Sequence, residues 1–336
     1  MTTIYDIAKA AGVTATTVSN VLGGKGSVSK ATRARVMKYV QELGYQPNLV
    51  ARSLIKGRTG LIGLVVPRLE NPFYAEIVTA VERLAYAAGR RIFVNTLSSD
   101  DEFGQQMLRD LASRRVEGIL AMAGSISINS LLNSIDLPAV YCLDEAEDEP
   151  LLPSVSFDFT QGGQLAAEHL VSLGHRRFGI VTSKWGVGEV GHLVRIEGFK
   201  KVLAEHGLEI LPEHIQAGQD RLMEGKAAGY RLLTQPDPPT AIFAVNDLMA
   251  IGVISAAWEL GLRVPQDLSV VGFDDIMLGQ YLTPPLTTIV IDKDALMTQA
   301  LELLLRAIES QETITSPPLL PARLVIRGST GPAQHD

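Results

Sequence analysis

Apolar residues recur at helical spacing in three short runs at the start of the chain. Thr3 followed by Asp6 predicts a capped helix running to Ala11, and Gly12 predicts a tight turn. Thr14 can cap a second helix, "ATTVSNVL", that ends at Gly23–Gly24. Ser29 can cap a third that carries Ala31, Val36, Val40 and Leu43 to a stop at Gly44. Ile4, Ile7, Ala8, Val13, Val18, Val21 and Leu22 can meet inside the first two helices. Ala15, Thr16, Thr17, Ser19 and Asn20 are small or polar, and several of them must face outward.

The pattern changes at Pro47, which disfavours helix just upstream. Asn48 can cap a short segment, "LVARSLIK", which Gly57 stops. Some eight residues are too few for a stable isolated helix. Beyond this point apolar runs alternate with amphipathic helices. Strands are predicted at 61–67, 91–97, 118–123, 139–143 and 154–159. A second series follows at 178–183, 241–246, 269–275 and 287–292, with a late strand at 323–329. Helices such as 74–89, 161–173 and 194–207 lie between them. Such alternation implies parallel sheets covered on both faces. Two series imply two Rossmann-like lobes.

Charge divides the chain at the same place. Residues 1–58 hold nine lysines and arginines against two acids, a net of +7, within a chain whose net charge is −7. The remainder holds 21 basic and 35 acidic residues, a net of −14. A basic head on an acidic body points the head at a polyanion. Helix, glycine turn, helix and supporting helix is helix-turn-helix logic, with the second helix entering the DNA major groove. Thr14, Thr16, Thr17 and Asn20 then become candidate contacts, and Ser29 and Thr32 suit phosphates. A plain three-helix core is the alternative reading of the same spacing.

The residues that carry a family resemblance are "IYDIAKAAGVTATTVSNVL" and "VSKATRARVMKYVQELGYQPNLVARSL". They resemble the lac repressor/galactose repressor (LacI/GalR) family almost continuously through residue 64. The resemblance implies that Ala15, Thr16 and Asn20 occupy a base-reading face. The last position is often Arg or His in the family, so the operator half-site does not carry over. It also implies that paired hinge helices enter the minor groove, where Leu54 matches the residue that wedges between base steps. Ala51 is small enough for close approach there, and Arg52 suits phosphate. A flexible linker with an incidental leucine is the alternative.

The layout of the body resembles periplasmic sugar-binding proteins, and the family likeness extends over nearly all of it, most strongly at "ENPFYAEI", "SLGHRRFGIV", "VNDLMAIG" and "GLRVPQDLSVVGFDD". The expected fold is thus an all-α helix-turn-helix head and a periplasmic-binding-protein-like α/β body of two Rossmann-like lobes. The head covers 1–46, a hinge 47–58 and the effector-binding and dimerisation body 59–330. One lobe is expected from about 59–157 and 288–320, the other from about 158–287 and 321–330. Ligands of open parallel sheets lie beyond the carboxyl ends of strands. Phe73, Arg195, Asn246 and Asp274 match the family's effector-contacting positions. Phe73 can stack on a sugar, Arg195 offers a donor fork, and Asn246 and Asp274 can bind hydroxyls. The alternatives are core for Phe73, solvated surface for Arg195, and helix caps for Asn246 and Asp274. The likeness fades at 124–152 and 184–192, where ligand specificity is expected. Trp185 is added there as a stacking residue.

The remaining features narrow the function. A single cysteine, Cys142, allows no intrachain disulfide or cysteine zinc cage. "GVGEVG" at 186–191 fits a dinucleotide fingerprint, but "KW" lengthens the turn before it. No P-loop, H-E-x-x-H or G-x-S-x-G pattern occurs, and His175 in "LGHRR" reads as a turn residue. The expectation is a non-enzymatic, cytoplasmic, nucleoid-associated repressor without cofactor, metal or membrane segment. It would bind a pseudo-palindromic double-stranded operator as a homodimer and answer to a sugar-like effector. A plain sugar-binding protein and a nucleotide-dependent enzyme are the alternatives.

Overall fold

A computed structural model describes the chain except residues 1, 24–25, 27, 46–57, 97–100, 123–131, 133–136, 144–151, 184–189, 311–313 and 335–336. The chain divides into two compact units, Met1–Gly60 and Leu61–Asp336.

The first unit holds α1 (Ile4–Ala11), α2 (Ala15–Gly23) and α3 (Lys30–Glu42). The expected caps form. Thr3 and Asp6 close a reciprocal capping box, and Gly12 turns the chain at φ 61°. The Thr17 amide donates to Thr14 Oγ1 at 3.1 Å, and the Thr32 amide to Ser29 Oγ at 3.1 Å. Ile7, Val18 and Val36 are fully buried at the centre of the unit, joined by Ala8, Ala11 and Val21. Two expected core residues of α3 are not there: Ala31 and Leu43 are exposed. Tyr39 and Tyr45 pack against the cluster instead, their rings reaching it from part-exposed positions.

The second unit holds two sheets. The first has β1 (Leu61–Val66), β2 (Arg91–Thr96), β3 (Gly118–Met122), β4 (Ala139–Cys142) and β5 (Ser154–Val155). Their spatial order is β2-β1-β3-β4-β5, all parallel. The second has β6 (Phe178–Thr182), β7 (Ile215–Ala217), β8 (Ala241–Ala244), β9 (Ser269–Asp274), β10 (Thr287–Val290) and β11 (Arg323–Val325). Its order is β7-β6-β8-β9-β10-β11, with only β11 antiparallel. Apart from that edge, both sheets share one winding. The helices between strands are α4 (Pro72–Ala87), α5 (Asp101–Ser113), α6 (Phe159–Ser172), α7 (Val190–Glu205), α8 (Leu222–Leu233), α9 (Asp247–Glu259) and α10 (Lys293–Glu309).

Several expected boundaries move for local reasons. The strand expected over 154–159 stops at Val155, because the Asp158 side chain caps α6 by accepting from the Gln161 amide at 2.8 Å. The late strand expected over 323–329 stops at Val325. Residues 288–290, expected in the first lobe, lie in β10 and pair with β9 in the second sheet. The chain returns to the first lobe only after that strand. There α10 packs on α4, β3, β4 and β5. It crosses back beside β5, where Leu320 bridges Phe157 and accepts from the Asp158 amide at 2.9 Å.

The second lobe is centred on rings. Phe199 and Phe243 stack at 5.0 Å, with Phe178 edge-on to Phe199 and Phe273 tilted on Phe243. The tail closes this lobe. Ser329 exchanges hydrogen bonds with Val270, and the Ala333 amide donates to the Leu173 carbonyl. His175 lies beneath the tail, buried, and burial pushes its basicity down. Its Nδ1 meets Thr240 Oγ1 at 2.9 Å, and its Nε2 meets Ser269 Oγ at 2.9 Å and the Gly331 carbonyl at 3.1 Å. It is thus a structural residue of the turn before β6. Replacing it leaves a buried hydroxyl pair and a carbonyl short of a partner, which costs about 2–3 kcal/mol. His175→Ala is expected to lower the denaturation free energy by that amount in urea at fixed protein concentration. A loss below about 0.5 kcal/mol, the size of an ordinary surface substitution, would remove His175 from that role.

Candidate functional site

On the head, α2 presents Ala15, Thr16, Thr17 and Asn20. Thr16 is exposed, and the other three are part-exposed. Thr14 and Ser29 already serve as helix caps, and Thr32 lies in the first turn of α3 bonded to Ser29. Thr14 Oγ1 meets Thr17 Oγ1 at 2.9 Å, and Ser29 Oγ meets Thr32 Oγ1 at 2.9 Å. A hydroxyl keeps acceptor capacity after capping, so these residues hold helix N-termini and can still meet a phosphate. Arg33 of α3 donates to the Val21 carbonyl at 3.2 Å, which ties α3 to the end of α2. Asn48, Ala51, Arg52 and Leu54 lie outside the described residues, as do Trp185 and residues 186–189.

In the body, the polar residues collect at the carboxyl ends of strands. Ser183 follows β6, Asp220 follows β7, Asn246 follows β8, Asp274 ends β9 and Arg68 follows β1. The order of both sheets puts their switch points between β1 and β3 and between β6 and β8, where open sheets bind ligands.

Arg195 is a buried residue, not a solvated one. Its guanidinium carbon stands 4.5 Å from the ring centre of Phe159 and 4.0 Å from that of Phe273. Its Nη1 donates to the Val245 carbonyl at 2.6 Å and lies 3.8 Å from Asp274 Oδ1. Rings and a carbonyl thus replace the water a guanidinium would otherwise keep. Its seat on α7 needs glycine. A Cβ at Gly163 of α6 would sit 1.9 Å from the Arg195 carbonyl oxygen, and one at Gly198 would sit 2.2 Å from that of Thr160.

Asn246 is the cap of α9. Its Oδ1 accepts from the Met249 amide at 2.8 Å, and its Nδ2 donates to Asp220 Oδ1 at 2.9 Å. Asp274 is buried with φ 113°, a left-handed conformation rare outside glycine. Burial pushes its carboxyl up to about 7, against the pull of Arg195 and Lys293, with Asp220 and Glu76 adding to the rise. The neighbouring Asp247 is fully buried and also raised well above the carboxylate range, first by burial and then by Asp274.

Phe73 sits second in α4, its amide held by the Asn71 side chain at 3.0 Å. It is buried in the core, edge-on to Tyr74, with the Lys293 ammonium 5.4 Å from its ring centre. Tyr74, not singled out from sequence, is the ring among the charges. Burial raises its phenol, Asp220 and Asp274 raise it further, and Arg195 and Arg68 oppose them. His192 of α7 joins the group, its Nδ1 2.6 Å from Ser183 Oγ and 3.7 Å from Asp220 Oδ1. Arg68 has a buried Nη1 with no hydrogen-bond partner among the described residues. The placement of Tyr74, His192, Asp220 and Arg68 beyond strand ends is the signal that could have found them.

Comparison with known proteins agrees with both units. Residues 3–48 match the model for bacterial regulatory proteins of the lacI family, and 167–330 match the periplasmic binding protein-like domain. The HTH-type transcriptional repressor PurR of Haemophilus influenzae (strain PittEE) is 38% identical over 316 residues, 93% of each chain. The chain belongs to the lacI family. A solved lac repressor dimer bound to operator and the anti-inducer ONPF superposes with a TM-score of 0.87 at 31% identity, over 98% of this chain and 99% of that one. A complex of the transcriptional regulator CelR with cellobiose gives 0.74 at 29% identity, over 98% and 100%. This lacI-family chain is a DNA-binding transcriptional repressor and not an enzyme.

The raised carboxyl of Asp274 gives a pH signature. The folded protein keeps a proton that the unfolded chain releases above the ordinary 3.8. Stability contributed by this group is therefore fully present at low pH and falls as pH rises from 3.8 through about 7. Asp274→Asn should flatten the pH profile of the denaturation free energy in that window. An unchanged slope would show that Asp274 ionises normally.

Proposed function

We propose that this repressor works as a homodimer on a pseudo-palindromic operator and is controlled by a sugar-like effector, with a sugar acid fitting best, bound at the strand ends of its body. Two heads would each lay α2 in a major groove, where Ala15, Thr16 and Asn20 read base edges and Thr14, Thr17, Ser29 and Thr32 hold the phosphate backbone. The hinge segment would contribute Asn48 as a cap, Ala51 for close approach, Arg52 to phosphate and Leu54 as the minor-groove wedge. A protein of this kind acts where the DNA is, in the cytoplasm at the nucleoid. Among the described residues no helix is long and apolar enough to cross a membrane. Dimerisation is supported by the likeness to the solved lac repressor dimer.

The observation that carries the effector reading is the mixture of groups at the strand ends. Asp274 can accept from or donate to a hydroxyl near neutral pH, because its carboxyl titrates at about 7. Asn246 and Asp220 are already joined to each other at 2.9 Å and offer their remaining lone pairs. Arg195 is seated on rings, and Tyr74 adds an aromatic wall. The Nη1 of Arg68, which has no partner among the described residues, favours a ligand with an anionic acceptor, since a buried guanidinium proton without a partner is costly. Phe73 would support this wall from the core, and Trp185 would add a stacking ring. The cellobiose bound by the CelR regulator is a precedent for a carbohydrate in a related body. The effector must bind two arrangements of the lobes unequally, or it would leave operator affinity unchanged.

Two measurements test these readings. Leu54→Ala should weaken operator binding at least tenfold by electrophoretic shift, and wild-type affinity should fall steeply between 50 and 200 mM salt, about 10³-fold or more. Undiminished binding by Leu54→Ala would remove the wedge. In a thermal-shift panel, gluconate and galacturonate should raise the melting temperature more than glucose and galactose, and Arg68→Met should abolish the difference. A rise with adenine or guanine and none with any sugar would overturn the carbohydrate reading.

A further inference from the structure

The last residue of β9 and the three that follow it are held from both lobes. From the second lobe, Arg327 Nη2 donates to Asp275 Oδ1 at 2.6 Å, and Asp247 Oδ2 accepts the Ile276 amide at 2.8 Å. From the first lobe come Glu76 of α4 and Lys293, the first residue of α10. Glu76 Oε1 accepts the Met277 amide at 2.9 Å. Lys293 Nζ donates to the Asp274 carbonyl at 2.8 Å and the Asp275 carbonyl at 2.9 Å, and meets Glu76 Oε2 at 3.1 Å.

An ammonium has three protons, and all three of Lys293 are engaged. Both oxygens of Glu76 are engaged as well. The lysine thus has no donor left for a ligand, and each oxygen of the glutamate is already committed to one partner. Their side chains are only 12% and 29% exposed, so water screens the pair weakly. The turn they grip needs gripping, because Asp274 and Asp275 have φ values of 113° and 50°. Glu76 also lies within one turn of Phe73 and Tyr74 on α4. One ion pair and three hydrogen bonds thus link α4, which carries those rings, to the Asp274–Met277 turn.

We propose that Glu76 and Lys293 are positioning residues that form a clasp between the lobes, and that the cleft widens only when this clasp releases the Asp274–Met277 turn. The importance of this for ligand binding rests on Asp274 belonging to the effector site; the clasp itself does not. No ligand is needed to test it, so its failure is separable from failure of the carbohydrate reading.

The test is an interlobe distance measured by pulsed electron–electron spin resonance on the full chain. Nitroxides are placed at Ala87→Cys on α4 and Lys201→Cys on α7, both exposed positions, while Cys142 is buried and takes no label. Dilution with unlabelled protein isolates intrachain pairs. The parent should give one narrow distance. Lys293→Met, which keeps the stem and loses the donors, should shift the distribution to longer distances, and Lys293→Arg should restore it. A merely structural lysine would lower the melting temperature without moving the distance. Glu76→Gln keeps an acceptor for the Met277 amide and removes the charge, so it should give a smaller shift. It also carries the test if Lys293→Met does not fold. A distribution unchanged in the folded variants overturns the clasp.

Discussion

Helices α6 and α7 meet backbone to backbone, with Gly163 and Gly198 each facing a carbonyl of the other helix, and the placement of the site depends on that contact. Any side chain at either glycine would push the helices apart. Arg195 rides on α7 directly at the contact, so helix separation sets the depth of its guanidinium. At the present depth it is pressed between Phe159 and Phe273, within reach of the Val245 carbonyl and near Asp274. Both rings belong to the aromatic column that runs from Phe199 through Phe243 and Phe273 to Phe159. The charge at the strand ends therefore rests on the packing of the core, and the two cannot be altered independently.

The order of the sheets brings the remaining groups to one place. Both lobes use the same winding, so each presents its carboxyl strand ends at its own switch point. Arg68 and Tyr74 come from one lobe, and Ser183, His192, Arg195, Asp220, Asn246 and Asp274 from the other. Burial then alters their chemistry. The same desolvation that raises Asp274 towards neutrality also raises Asp247 behind it. Two adjacent acids with one cation at 3.8 Å leave a region whose charge depends on pH near the working range.

Much of this was legible in the chain itself, and the reasons differ by level. Capping residues act within three positions, so Thr3, Asp6, Thr14 and Ser29 could be placed without tertiary knowledge. Alternation of apolar strands and helices was enough for two parallel sheets. Strand ends were less legible, because a side chain such as Asp158 can start a helix inside an apolar run. The lobe that owns β10 was not legible either, since a buried parallel strand reads alike on either sheet. Among site residues, Asn246 and Asp274 stood out because polar groups ending apolar strands are conspicuous. Asp220 lies three residues beyond a three-residue strand that no pattern marked. Arg195 stood out only through the family likeness and judged alone reads as a surface residue, because its partners are aromatic rings and a carbonyl, not an acid nearby in sequence. Ala31 and Leu43 were misplaced because the part-buried Tyr39 of α3 and Tyr45 beyond it pack on the cluster instead.

The late return of the chain to the first lobe has a consequence for how the molecule is made. That lobe begins with β1 at residue 61, yet α10, which covers β3, β4 and β5, ends at Glu309. A ribosome must therefore deliver the whole second-lobe sheet up to β10 before the first lobe has its last helix. The second lobe in turn waits for β11 and for the tail that carries Ser329 and Gly331. Neither lobe is a contiguous stretch of translated chain, so the first lobe gains its last helix only after β10 of the second has been made, and the second is completed last. Premature termination anywhere before the tail leaves the second lobe unfinished, and termination before α10 leaves both exposed to association through their uncovered apolar strands.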